Sequence, residues 1–170
     1  MKVYLSPSSQ TANIGYGGYG TEADRMQQLS DKVKDKLADL GHTVYGSDNS
    51  LDLNERIAAS NKEDVDCHVA LHSNASSNGT ARGAEAYYYS TSNNGRRLAQ
   101  SVLDQIVAVD GCYKSRGIKA TTTLAECRKT SAPATLVEVA FQDNKDDAAW
   151  IMEKIDDIAA AIANGINAYV

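Results

Sequence analysis

The stretch ATLVEVAF, residues 134–141, is a short, mostly apolar run broken by a single charge, Glu138. Bounded by Pro133 and the polar QDN, it is too short for a typical helix and reads as a buried strand. Working outward, KVYLS (2–6), HTVYG (42–46), CHVALHSN (67–74) and GAEAYYYS (83–90) share its β-branched and aromatic character. Between them lie segments with helical spacing. Met26, Leu29, Val33, Leu37 and Leu40 recur every three or four residues, with Thr21 placed to cap the start and Gly41 the stop. LNERIAASNKE (53–63), GRRLAQSVLDQIVAV (95–109) and the series Ile151, Ile155, Ile158, Ile162, Ile166, Tyr169 also read as helices. Residues 111–132 read as loops with one short strand near Thr123–Cys127. Strands alternating with helices predict an α/β fold: a single layered domain with a twisted, mainly parallel sheet of about six strands and helices on both faces.

A chain of 170 residues suits one domain, 1–170, with its own core. Hydrophobic residues at 42% and charged residues at 23% are ordinary for a soluble globular protein. The net charge of -5 argues against nucleic acid as a partner, which calls for a basic surface. There is no apolar run of about 18 residues to span a membrane, and the opening MKVYLSPSSQ is too weakly apolar for a signal peptide. Three scattered cysteines, Cys67, Cys112 and Cys127, without a C-x-x-C pair, are expected to be reduced, buried side chains.

Gly15, Gly17 and Gly20 in GYGGYGTE (15–22) have the G-x-G-x-x-G spacing of a dinucleotide loop. Such a loop must begin directly after its strand, whereas here the first strand ends roughly ten residues earlier. Glu22 would also place a carboxylate where the pyrophosphate belongs. Asp48 could imitate the ribose carboxylate, but it cannot repair the loop. The glycines instead form either a plain turn or a pliable loop that delivers Glu22 to a site, where the helix dipole keeps it ionised.

Two features supply partners for Glu22. His72 ends the apolar strand of VALHSNA (69–75), at the carboxyl edge where parallel sheets bind ligands. His68, deeper in that strand, and His42, after a helix end, read as structural. Glu138 interrupts a buried strand, so it is either paired in a salt bridge, for instance with Arg128, or is a base tuned by burial and a nearby metal. No G-x-S-x-G elbow occurs, and Cys67 and His68 point to opposite faces of their strand, which argues against Ser or Cys hydrolysis.

LHSNA, RGAEAYYY, RGIK and PATLVEVAFQDN, together with TE opening the first helix, resemble the zinc-dependent N-acetylmuramoyl-L-alanine amidases of bacterial and phage cell-wall lysis, in the family's order and over nearly the whole chain. The resemblance implies zinc held by Glu22 and His72, with Glu138 handling protons. The family's first ligand, a histidine after the first strand, is missing. LSPSSQ stands there, making Gln10 the candidate third ligand, with Ser9 or water as alternatives. Asn74, Glu85 and Arg128 are candidates for substrate binding, and Tyr16, Tyr19 and Tyr87–Tyr89 for lining the groove. The implied activity is hydrolysis of the amide between N-acetylmuramic acid and the L-alanine of the peptidoglycan stem. The alternative is a relative with an impaired metal site that binds peptidoglycan without cutting it. The expected setting is the cell wall, reached by lysis or a non-standard route, with no evident protein partner and no wall-binding module in this chain.

Overall fold

Six strands form one sheet: β1 (Lys2–Pro7), β2 (Thr43–Gly46), β3 (Cys67–Asn74), β4 (Ala84–Tyr89), β5 (Ser115–Thr121) and β6 (Ala134–Phe141). The structure, a computed structural model, describes residues 1–169. The strand order is β2-β1-β3-β6-β4-β5. β1, β2, β3 and β6 run parallel, while β4 pairs antiparallel with β6 and parallel with β5. The sheet is therefore mainly parallel with two reversed strands at one edge. That reversal brings the start of β4 beside the carboxyl ends of β3 and β6.

The helices α1 (Glu22–Asp39), α3 (Asn93–Val107) and α6 (Ile155–Tyr169) cover one face. Their apolar stripes, among them Met26, Leu29, Val33, Leu98, Val102, Ile158 and Ile162, pack on Val3, Leu5, Val69, Leu71, Val137 and Val139. Each such fully buried aliphatic side chain contributes about 1.5–3 kcal/mol relative to exposure. The opposite face carries α2 (Leu53–Glu63) and the short α4 (Ala125–Lys129), over a smaller cluster of Ala70, Cys127 and Leu136. α5 (Lys145–Glu153) leads into α6. Local chemistry sets the helix starts. Thr21 caps α1 by accepting from the Asp24 amide, and Asp52 and Glu55 form a capping box at α2. The three cysteines are free thiols, with Cys67 and Cys127 buried.

One element differs from the sequence expectation. The expected strand near Thr123–Cys127 is a turn followed by α4, and the strand of this region is β5, just upstream. Thr121 Oγ1 accepts from the amides of Thr123 (3.2 Å) and Leu124 (3.3 Å), which bends the chain out of the sheet. From Leu124 onward the pattern is helical, with Glu126 and Cys127 buried and Arg128 and Lys129 exposed.

The contact between α3 and α6 rests on Gly165. A Cβ there would lie 2.6 Å from Val102 Cα and 2.9 Å from Ser101 O, both backbone atoms of α3. Gly165→Ala gains about 1 kcal/mol of helix propensity but must separate α3 from α6, an overpacking cost of about 1–3 kcal/mol. Overpacking wins in this balance. The variant is expected to unfold at lower urea than the parent; a raised midpoint would contradict this packing.

Candidate active site

The site is assembled where β1, β3 and β6 end. β1 leaves the sheet at Pro7, and residues 10–13 fold back onto the start of α1. The Glu22 amide donates to Asn13 O (2.8 Å) and the Ala23 amide to Gln10 O (3.2 Å). Asn49 Nδ2 ties this loop down by donating to Ser8 O (3.1 Å) and Ala23 O (3.0 Å). Gln10, Asn13 and Glu22 are thus held in one place by backbone bonds.

The glycine stretch is a detour between these points, closed by backbone hydrogen bonds. Ile14 bridges Thr21, and the Gly15 amide donates to Gly20 O (2.9 Å). The Tyr16 amide donates to Gln142 O (2.7 Å), pinning the detour to the end of β6. A Cβ on Gly15 would meet the Tyr19 ring at 2.3 Å, so glycine there lets Tyr19 fold under the loop. Tyr19 is buried, and its hydroxyl donates to Ser73 Oγ (2.7 Å). Tyr19 is therefore a support, while Tyr16 is exposed.

Glu22, His72 and Gln10 converge. Glu22 Oε1 lies 2.8 Å from His72 Nδ1, and Gln10 Nε2 lies 3.5 Å from each of those atoms. Asn13 Nδ2 donates to Glu22 Oε2 (2.8 Å) and to Gln10 Oε1 (2.7 Å). A half-turn of the Gln10 amide would aim its oxygen at the other two donors. Ser9 is directed elsewhere, its Oγ accepting from Arg56 (2.8 Å). Donor atoms of a tetrahedral zinc shell stand about 3.3 Å apart, given bonds of about 2.0–2.1 Å. The Glu22–His72 separation and those to the Gln10 amide bracket that figure once the amide is turned and its oxygen gives up the Asn13 bond, and the set then contains one anion, one imidazole and one neutral oxygen, so these residues fit a zinc ion. Among the described residues no three His, Cys, Asp or Glu side chains gather as a metal cluster; the third donor here is an amide.

His72, Glu138 and Glu85 form a row across the sheet, since His72 pairs with Glu138 and Glu138 with Glu85 in register. Glu138 Oε2 is buried without a hydrogen-bond partner. Among the described residues Glu138 makes no salt bridge, to Arg128 or otherwise. Burial pushes its carboxyl up to about 7, against the opposing pull of His72 and with help from the Glu22 and Glu85 charges. Glu22 shows the reverse balance: burial opposes its charge, but hydrogen bonds from His72 and Asn13 hold it below its ordinary value. Burial alone would depress His72, yet its contacts with Glu126 and Glu22 raise it to about 9.

Glu85 is fully engaged by Asn74 Nδ2 (3.1 Å), Tyr87 Oη (2.7 Å), Arg116 Nε (2.7 Å) and Lys119 Nζ (2.5 Å). It gathers these groups around Glu138. A cavity of about 320 Å³ opens here, lined by Gln10, His72, Asn74, Tyr87, Leu124 and Glu138 among others. Arg128 is not brought into it. It is exposed on α4 and lines a separate depression with Tyr89, Asn93 and Pro133.

Sequence reasoning missed Arg116, Lys119 and above all Glu126. Glu126 is buried and accepts from Ser6 Oγ and from His68 Nε2 (3.2 Å), with its Oε2 3.9 Å from His72 Nε2. Burial opposes its charge, but the hydrogen bond from His68 and the nearby His72 ring hold its carboxyl well below the usual carboxylate range. The available signal was the acid between Ala125 and Cys127, which helical spacing turns inward.

The family model described as N-acetylmuramoyl-L-alanine amidase matches residues 7–168. The N-acetylmuramoyl-L-alanine amidase LytC of Bacillus subtilis (strain 168) is 27% identical over 175 residues, covering 98% of this chain and 35% of LytC. The endolysin of Bacillus phage SPP1 is 35% identical over 159 residues, covering 85% of this chain and 56% of the endolysin. The chain thus corresponds to only part of these curated relatives. The solved N-acetylmuramoyl-L-alanine amidase AmiC2 of Nostoc punctiforme superposes with a TM-score of 0.90 at 26% identity, over 99% of this chain and 96% of that one. With this fold, and with the match running almost from end to end, the chain belongs to the N-acetylmuramoyl-L-alanine amidase family.

Proposed function

We propose that this chain is a zinc-dependent peptidoglycan amidase, acting at the cell wall on the bond between N-acetylmuramic acid and the L-alanine of the stem peptide. The observation that carries the reading is the convergence of Glu22, His72 and Gln10 beside Glu138, whose buried Oε2 lacks a hydrogen-bond partner. Glu22, His72 and the Gln10 oxygen are the residues that would hold the ion. When bound, zinc supplies Lewis acidity, which makes water nucleophilic near neutral pH and polarises an amide carbonyl.

The chain's own residues do the rest. Glu138, raised to about 7, accepts the proton of the attacking water and returns it to the departing alanine nitrogen. Its unpartnered Oε2 leaves it free for both transfers. Asn74 is fixed at both ends, its Nδ2 by Glu85 (3.1 Å) and its Oδ1 by the Ala75 amide (2.9 Å), so it shapes the crevice wall. Arg116 and Lys119 place positive charge beside that wall, available to the carboxylates of a stem peptide.

Purified protein is expected to clear a cell-wall suspension while exposing new alanine amino termini. Chelation should abolish clearing and added zinc restore it. Glu138→Gln should reduce the rate by about 10²–10⁴-fold, the usual contribution of a positioned acid–base group. Binding to walls without clearing at any zinc concentration would favour the non-cutting alternative.

The same carboxyl gives a stability prediction. Its folded value of about 7 exceeds the ordinary 4.5, so its contribution is favourable at low pH and is lost as pH rises through about 7. In metal-free protein, Glu138→Gln should raise Tm by about 2–6 °C at pH 8.5, from relief of roughly 1–2 kcal/mol. At pH 5 the two proteins should melt alike. A lower Tm for the variant at pH 8.5 would show that Glu138 is paired rather than strained.

A further inference from the structure

Behind His72, on the side away from Glu22, lies a buried polar chain that the proposed reaction does not use. Ser60 Oγ contacts His68 Nδ1 (3.0 Å), and His68 Nε2 contacts Glu126 Oε1 (3.2 Å). Tyr4 stacks on the His68 ring, with centroids 5.1 Å apart and planes within 6°. Ser6 Oγ donates to Glu126 Oε1, and Arg56 Nη1 in turn donates to Ser6 Oγ (3.3 Å) and Pro7 O (2.7 Å). Glu126 is only 4% exposed. Its Oε1 is thus committed, while its Oε2 faces His72 Nε2 at 3.9 Å. That nitrogen is itself buried without a hydrogen-bond partner. A shift of about 1 Å closes the gap between them to hydrogen-bond length.

We propose that Glu126, anchored by Ser6 and His68, is the positioning residue for His72, accepting the Nε2–H so that Nδ1 is presented to the metal. This rests on the zinc reading above. Glu22 and Glu126 address opposite nitrogens of one ring, so Glu126 cannot share an ion held at Nδ1; it acts through the imidazole. A carboxylate on the far nitrogen fixes the tautomer and makes the ring a stronger donor. That matters in this chain because the neutral amide of Gln10 stands where imidazole would bind zinc more strongly. A weakened ligand on one side is matched by a strengthened one on the other.

The test combines zinc titration calorimetry with NMR of ¹⁵N-histidine-labelled protein. Zinc-loaded wild type should show a protected, downfield His72 Nε2–H, with Nδ1 carrying no proton. Glu126→Gln should lose the downfield shift and bind zinc about 10–100-fold more weakly, and Glu126→Asp should recover part of both. Unchanged affinity and an unchanged Nε2–H signal in Glu126→Gln would overturn the proposal. So would an exchanging, unshifted Nε2–H in the wild type, a result that needs no variant to fold. If the wild type binds no zinc at all, the zinc reading fails, and the His72 Nε2–H of the metal-free protein still reports on Glu126, which is supported only if Glu126→Gln moves it.

Discussion

The contact between Glu22 Oε1 and His72 Nδ1, 2.8 Å long, joins the first helix to the central strand, and the site is built around it. Burying a carboxylate against an imidazole is costly without further partners. The chain supplies them on both sides: Asn13 and Gln10 around the carboxylate, and the Glu126–His68–Ser60 chain beyond the ring. The glycine detour serves the same contact. It lets Tyr19 wedge under the loop while the chain returns to start α1 with Glu22 as its first residue.

The reversed pair β4–β5 has a consequence beyond topology. Had β4 run parallel to β6, Glu85 would sit at the far end of the sheet. Instead it stands in register with Glu138 and recruits Arg116 and Lys119 to the crevice. Glu85 is charge-balanced by those cations, whereas Glu138 beside it is left without a partner. Two neighbouring acids are thereby driven apart in character, one a fixed anion and the other a carboxyl able to exchange a proton near neutrality.

Much of this was legible from residues alone. The central strands announce themselves because β3 and β6 are buried on both faces and so are almost continuously apolar. The polar residues that break or end those runs, His72 and Glu138, are for that reason conspicuous. Glu22 was readable from its place at a helix start, and Gln10 from its position after the first strand where the resembled family carries a ligand. What escaped is what depends on tertiary context. Edge strand β5 is polar and half-exposed, so it lacks the apolar signature, and a threonine-centred turn converted an expected strand into α4. That misreading hid Glu126, since strand alternation gives no reason to turn it towards His72. Arg128, equally plausible as a charge near the site, faces outward on the same helix.

On the proposed reading, the ends of β1 and β3 and the start of α1 together hold a zinc ion beside Glu138. Crystals grown with zinc and measured at the zinc absorption edge test it most directly. One strong anomalous peak is expected in bonding contact with Glu22 and His72 Nδ1, with the Gln10 oxygen turned towards it. Crystals grown in excess zinc that show no peak there, or a peak bound at His72 Nε2 instead, would overturn this reading.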